Sequence, residues 1–411
     1  MNRLLITLLA TVLPLSALAT TAPTAPIKPP ITSKAELDRY LRETPAGTSP
    51  LDALSPGARK RFLAELMFHP HGVGLSYGEP AAELTHAQMA ALYSLFGEQK
   101  QAEDLSLGLT PEQKSRREAE READARARGC AVQACPESDV ERRFDELSIM
   151  AKPDFSLPNA QHVAAQVRLY DRLFGAYQAP ERLRQLSALD LRLVTRATEF
   201  GLYAQEAVHV GQLDMDLAEM QRRGMAVDDD YTNLYRLLLS SRQFAKAKAL
   251  ARQHPGMEVG AIPAVSEKLD LQHHWPTALS IDPRQHRAMI RESYDPDLPL
   301  RIVAITDEGC HYCEEAASAI QADAGLRRLF AGHALWLASQ SNDFDYAMAW
   351  NHRFPSQPIR IAWQNSEWPM LDWSALPAFY VFRNGHVVEK FLGWNGVKKF
   401  KRSLHDAGAL R

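Results

Sequence analysis

Leu298-Pro299-Leu300-Arg301-Ile302-Val303-Ala304-Ile305-Thr306-Asp307-Glu308-Gly309-Cys310-His311-Tyr312-Cys313-Glu314-Glu315-Ala316-Ala317 is the stretch whose reading decides the fold of this chain. The apolar run at 298–305 reads as a buried strand, and the residues from Glu314 to Ile320 read as the first turns of a helix. Two cysteines with two residues between them therefore fall at a strand-to-helix turn. At a helix start the first thiol faces unpaired N–H groups and the positive end of the helix dipole, which favours its thiolate. The thiolate is the form that attacks disulfides. The stretch reads as a thiol–disulfide exchange site.

Outward from it, strands and helices alternate from about residue 275. Residues 278–281 are expected to form an edge strand and 285–293 a short helix. A helix over 314–330, a strand over 333–338, a helix over 344–354 and a short strand over 359–363 follow. Strands over 378–383 and 387–391 flank Asn384-Gly385, a strong hairpin signal. A helix over 397–407 closes the chain.

That order of elements, over residues 275–411, resembles the thioredoxin superfamily. The resemblance rests on Cys310-His311-Tyr312-Cys313, on the Leu376-Pro377 step before the hairpin and on Gly393 after it. It implies a cis bond before Pro377 beside the cysteine pair. It also implies backbone pairing of substrate with Leu376, attack by Cys310 and resolution by Cys313. His311 and Tyr312 would meet the substrate. The chain departs from thioredoxin itself. Ala304 stands where a buried acid is used, Gly309 where a tryptophan precedes the pair, and no proline lies between the cysteines. Residues 354–373 read as an insertion. Tyr312 is similar to the residue found in the periplasmic disulfide isomerase and reductase branch. No cofactor is implied. His311, when protonated, would stabilise the Cys310 thiolate, and Asp307, Glu308, Glu314 and Glu315 would oppose it.

The start of the chain reads as an export signal. Arg3 precedes an apolar run at 4–18, and Ala17-Leu18-Ala19 has the small-x-small cleavage pattern. The run is shorter than the roughly 20 residues of a spanning helix. Residues 1–19 are thus expected to be removed, and 20–32 form a Pro/Thr-rich linker. A periplasmic or secreted protein without a membrane span is expected, in a compartment that permits disulfides. A composition 45% hydrophobic and 24% charged, with net charge −3, gives no footprint for nucleic acid.

The rest reads as helical, so the expected fold class is α+β multidomain, with all-α N-terminal and middle regions before the α/β domain. In the region 33–150, Ser33 with Glu36, Thr85 with Gln88, Thr110 with Gln113 and Ser138 with Glu141 are helix-start signatures. The Arg- and Glu-rich stretch 111–128 reads as a solvated helix held by pairs four apart. Cys130 and Cys135 lie between Gly129 and Pro136, in a turn that lets two thiols meet. They read first as a structural disulfide, with a second redox pair relaying electrons to Cys310 and Cys313 as the alternative. A zinc site built from all four cysteines satisfies ligand count only. The region 151–270 reads as helical hairpins. Leu193-Val194, Ala197 and Tyr203-Ala204 match Leu234-Tyr235, Leu238 and Phe244-Ala245 at a period near 40, which weakly resembles tetratricopeptide arrays. Such an array would offer a surface to a protein partner.

Two functions are carried forward. One is an exported protein-disulfide reductase or isomerase that exchanges disulfides with protein substrates and needs a redox partner. The other is a redox-silent binding or assembly factor, with the helices gripping a partner and the thioredoxin-like domain as scaffold.

Overall fold

The computed structural model describes residues 30–69, 72–100, 108–150, 159–201, 207–257, 259–272, 274–281, 288–295, 297–373 and 375–410. Residues 1–19, read above as an export signal, most of the stretch read as a linker and Tyr203-Ala204 lie outside them. The chain is mixed α/β, with sixteen α-helices and a mixed eight-stranded sheet among the described residues. It divides into two compact units, Met1–Glu118 and Ala119–Arg411.

The first unit is held by Leu51, Phe62, Leu84, Leu92 and Tyr93, all fully enclosed. Its helices start where the caps predict. Thr85 and Gln88 form a reciprocal box at the helix His86–Ser94, and Thr110 and Gln113 do the same at the start of the helix Pro111–Arg128. At the helix Lys34–Glu43 the Ser33 hydroxyl accepts from the Glu36 N–H, but Glu36 turns its carboxylate to Thr32 instead. The region is not all-α. Strands β1 (Met67–His69) and β2 (Gly72–Gly74) form an antiparallel pair. Three-residue strands are too short to give a period-2 signal, so the helical reading absorbed them.

In the second unit the helices from Asp139–Met150 to Phe244–Gln253 share one core of Phe144, Tyr170, Phe174, Leu191, Leu213 and Leu217. The helix Pro111–Arg128 carries the expected surface pairs, Arg126–Glu122 and Arg128–Asp124. It is not wholly solvated, since Glu120 takes a two-pronged pair from Arg192 at 2.8 Å. Cys130 and Cys135 are joined across a 3₁₀ turn, Val132–Ala134, with Cα atoms 5.1 Å apart.

The large sheet contains β3 (Ala264–Lys268), β4 (Thr277–Ile281), β5 (Ala288–Ser293), β6 (Arg301–Thr306), β7 (Ala334–Ala338), β8 (Ile359–Ala362), β9 (Ala378–Arg383) and β10 (His386–Leu392). Their spatial order is β10-β9-β6-β7-β8-β4-β5-β3. β6, β7 and β8 run parallel, and β9 and β4 flank them antiparallel. Three sequence expectations fail here. The strand at 278–281 is internal, between β8 and β5, rather than an edge. The residues expected as a helix over 285–293 form β5 where they are described. Their Ala, Met, Arg and Glu favour a helix, but pairing with β3 and β4 on both sides overrides that preference. The region 151–270, read as helical hairpins, ends in a strand, β3.

Alternation along β6 splits the interior into two layers. Ile302 and Ala304 face a cluster with Cys313, Phe330, Trp336, Trp350, Phe379 and Phe400. Val303 and Ile305 face another with Trp368, Leu371 and Tyr380. Helices cover the first face, and the segment read as an insertion covers the second. That segment also supplies β8, so it is part of the sheet's frame. The helix expected over 314–330 breaks at Asp323, which ends His311–Ala322 and caps Ala324–His333 by accepting from the Gly325 and Leu326 N–H groups. The helical part is fastened to the sheet. Arg242 donates to the carbonyls of Ala362 and Trp363, Gln340 donates to the Ser240 carbonyl, and Phe244 packs on Phe344 and Trp363.

Candidate functional site

β6 ends at Thr306, and four residues later the chain enters the helix His311–Ala322. Gly309 makes this possible at φ +75°, a left-handed conformation that costs glycine nothing. Cys310 is the N-cap residue. Its sulfur accepts from the Cys313 N–H at 3.2 Å, and its own N–H donates to the Asp307 carbonyl. The two sulfurs are bonded, with Cα atoms 5.2 Å apart. Cys310 is half-buried, whereas Cys313 is fully enclosed beneath the helix. The less buried cysteine of the pair, Cys310, thus stands at the positive end of a twelve-residue helix.

The Leu376–Pro377 bond is cis. β9 begins at the next residue, and Ala378 lies opposite Ile305 of β6. The register therefore sets Pro377 beside the end of β6, where the cysteine loop departs. Leu376 packs against both core layers, and the Pro377 carbonyl accepts from the Gly393 N–H at 2.8 Å. Cys310, His311, Tyr312, Cys313, Leu376 and Pro377 are thus gathered at one end of the sheet. Tyr312 is 60% exposed and His311 is open to solvent. Cys130 and Cys135 lie at the joint between the helices Pro111–Arg128 and Asp139–Met150.

The charges around the pair are individually tied. Asp307 accepts from Ser339 Oγ at 2.5 Å and Asn342 Nδ2 at 2.6 Å. Glu314 meets Arg353 at 2.6 Å, and His311 Nε2 meets Glu315 at 3.0 Å. Glu308 is pushed up from the ordinary glutamate value by desolvation, with Asp343 and Asp307 adding to the shift and Arg236 opposing it. Burial pushes the Tyr346 phenol up to about 12. Ser339, Asn342, Arg353 and Arg236 were not legible as site residues. Each comes from an element far along the chain and carries no local motif. Trp394 follows Gly393 directly, and that position is the one sequence signal that could have found it.

Comparison with protein-family models, curated proteins and solved structures gave no match.

Proposed function

We propose that this chain is an exported thiol–disulfide oxidoreductase that exchanges disulfides with protein substrates through Cys310 and Cys313, on a thioredoxin-like fold over residues 275–411. One observation carries the reading. A closed Cys310–Cys313 disulfide caps a helix start, with one cysteine reachable and the other enclosed. A purely structural clamp gains nothing from that asymmetry, whereas an exchange reaction uses it. Cis Pro377 beside the loop supports the same reading.

In the reduced protein the Cys310 thiolate attacks one sulfur of a substrate disulfide. That S–S bond breaks, and its other sulfur leaves as a thiolate that takes up a proton. Cys313 then loses its proton and attacks the Cys310 sulfur of the mixed disulfide. The second substrate sulfur leaves as a thiol, and the Cys310–Cys313 bond closes. Two electrons pass to the substrate, and the same steps in reverse oxidise a dithiol. A separate redox partner restores the starting state. The helical array, fastened beside the sheet, is the proposed surface for a protein partner. The residue 1–19 segment would direct export, and two disulfides suit an oxidising compartment. No helix among the described residues is long and apolar enough to cross a membrane.

The test is trapping. Cys313→Ala should accumulate mixed disulfides through Cys310, and mass spectrometry of the adducts names the substrates. Cys310→Ser should lose reduction of insulin. Activity retained in Cys310→Ser would sink the mechanism, and an empty trap would favour the redox-silent binding reading.

A further inference from the structure

The helix His311–Ala322 shows one outer face made of His311, Glu314, Glu315 and Ser318, residues three and four apart. Arg353 and Trp394 stand across from it and enclose an open groove of about 520 Å³. Trp394 is fixed from behind by Phe400 and Phe379, with ring centres 5.3 and 6.4 Å away. The groove begins at the residue after Cys310 and runs down the helix. Glu315 lies about 7.5 Å along the axis from Cys310 at 1.5 Å per residue. An extended polypeptide covers that distance in about two residues. A client joined to Cys310 through its own cysteine thus brings the residues two places away to Glu314 and Glu315.

The groove is lined by two carboxylates, Glu314 and Glu315, against one permanent cation, Arg353, which pairs with Glu314 at 2.6 Å. Glu315 is 46% exposed, and it pairs with His311, a histidine rather than a permanent cation.

We propose that this groove seats the client segment beside the reacting cysteine, and that Glu314 and Glu315 select clients in which that segment carries lysine or arginine. The inference rests on the exchange reaction proposed above. The aliphatic stem of such a side chain lies on Trp394 while its charge reaches the carboxylates. Acidic flanks meet repulsion from the same groups.

Two quenched disulfide peptides test this, identical except for lysine or glutamate two residues from each cysteine. The full chain reduces them with dithiothreitol as the electron source, and the uncatalysed rate is subtracted. The lysine peptide should be reduced about five- to tenfold faster at low salt, and the ratio should narrow at high salt. Glu314→Gln with Glu315→Gln should bring the ratio below about twofold, and Arg353→Gln, which releases Glu314, should raise it. A wild-type ratio near one, or reversed, with both peptides turned over, overturns the inference and leaves the exchange reading standing. A ratio unchanged in the double variant overturns the assignment to these carboxylates. Failure to reduce either peptide above the dithiothreitol rate overturns both.

Discussion

Replacing Asp216 by asparagine should remove a pH dependence built into the helical part of the second unit. Asp216 is fully enclosed in the helix Ala207–Arg222. One carboxyl oxygen accepts from Thr198 at 2.7 Å and from Gln178 at 3.3 Å, and the other has no partner among the described residues. Desolvation pushes its pKa up to about 7 from 3.8, with Glu199 adding to the shift and Thr198 and Gln178 restraining it. An acid whose folded pKa is raised stabilises the fold fully below the unfolded pKa. It loses that contribution as pH rises towards the folded value. Between pH 5 and pH 8 the loss is about 2 to 3 kcal/mol. Asp216→Asn keeps an acceptor for Thr198 and Gln178 and removes the ionisation. The variant should therefore be the more stable protein at pH 8 and show a flatter profile. A slope in the same direction remains from Glu199, which burial also raises. Glu219, held down to about 2 chiefly by Arg222, loses its contribution only as pH falls below about 4.5, outside this window. Hydrogen exchange of the helices Ala188–Gly201 and Ala207–Arg222 reads this region without relying on whole-chain two-state unfolding. Equal pH slopes in the variant and the parent would refute the reasoning.

Phe379→Ala should cost about 3–5 kcal/mol in urea unfolding followed by tryptophan emission, because its fully enclosed ring packs on Phe400 at 4.6 Å and on Trp336. Arg242→Ala should cost about 3 kcal/mol by the same assay, since it leaves the Ala362 and Trp363 carbonyls without a charged donor. Joint Cys130→Ser and Cys135→Ser substitution should lower stability by about 2 kcal/mol, as expected for so short a loop. With the clamp reading, insulin reduction continues in that variant at the parental rate, and loss of reduction without unfolding would point to an electron relay.

Much of the site could be read from contiguous residues. The Cys310–Cys313 spacing, the strand before it, the helix after it and the Asn384-Gly385 hairpin all report local geometry, and each appears where expected. So do the caps at Thr85, Thr110 and Ser138. The misreadings within the large sheet share one cause. β5 has helix-forming residues and becomes a strand only because β3 and β4 pair with it. Residues 354–373 looked like an interruption because their partners, β7 and β4, lie well before them in the chain. The Glu314–Arg353 pair and the Asp307 bonds to Ser339 and Asn342 likewise join residues more than thirty apart.

By itself the sequence determined that a cysteine pair stands at a strand-to-helix turn, that a proline opens a hairpin after it, and that helices precede both. Spacing, capping and turn chemistry act over a few residues, so a one-dimensional pattern records them. Only the tertiary structure decided that Cys313 is enclosed while Cys310 is half-buried, that Pro377 meets the end of β6, and that a groove lined by Glu314 and Glu315 begins beside Cys310. Those depend on strand order, register and burial, which are settled when distant segments pack together and leave no trace in any single stretch.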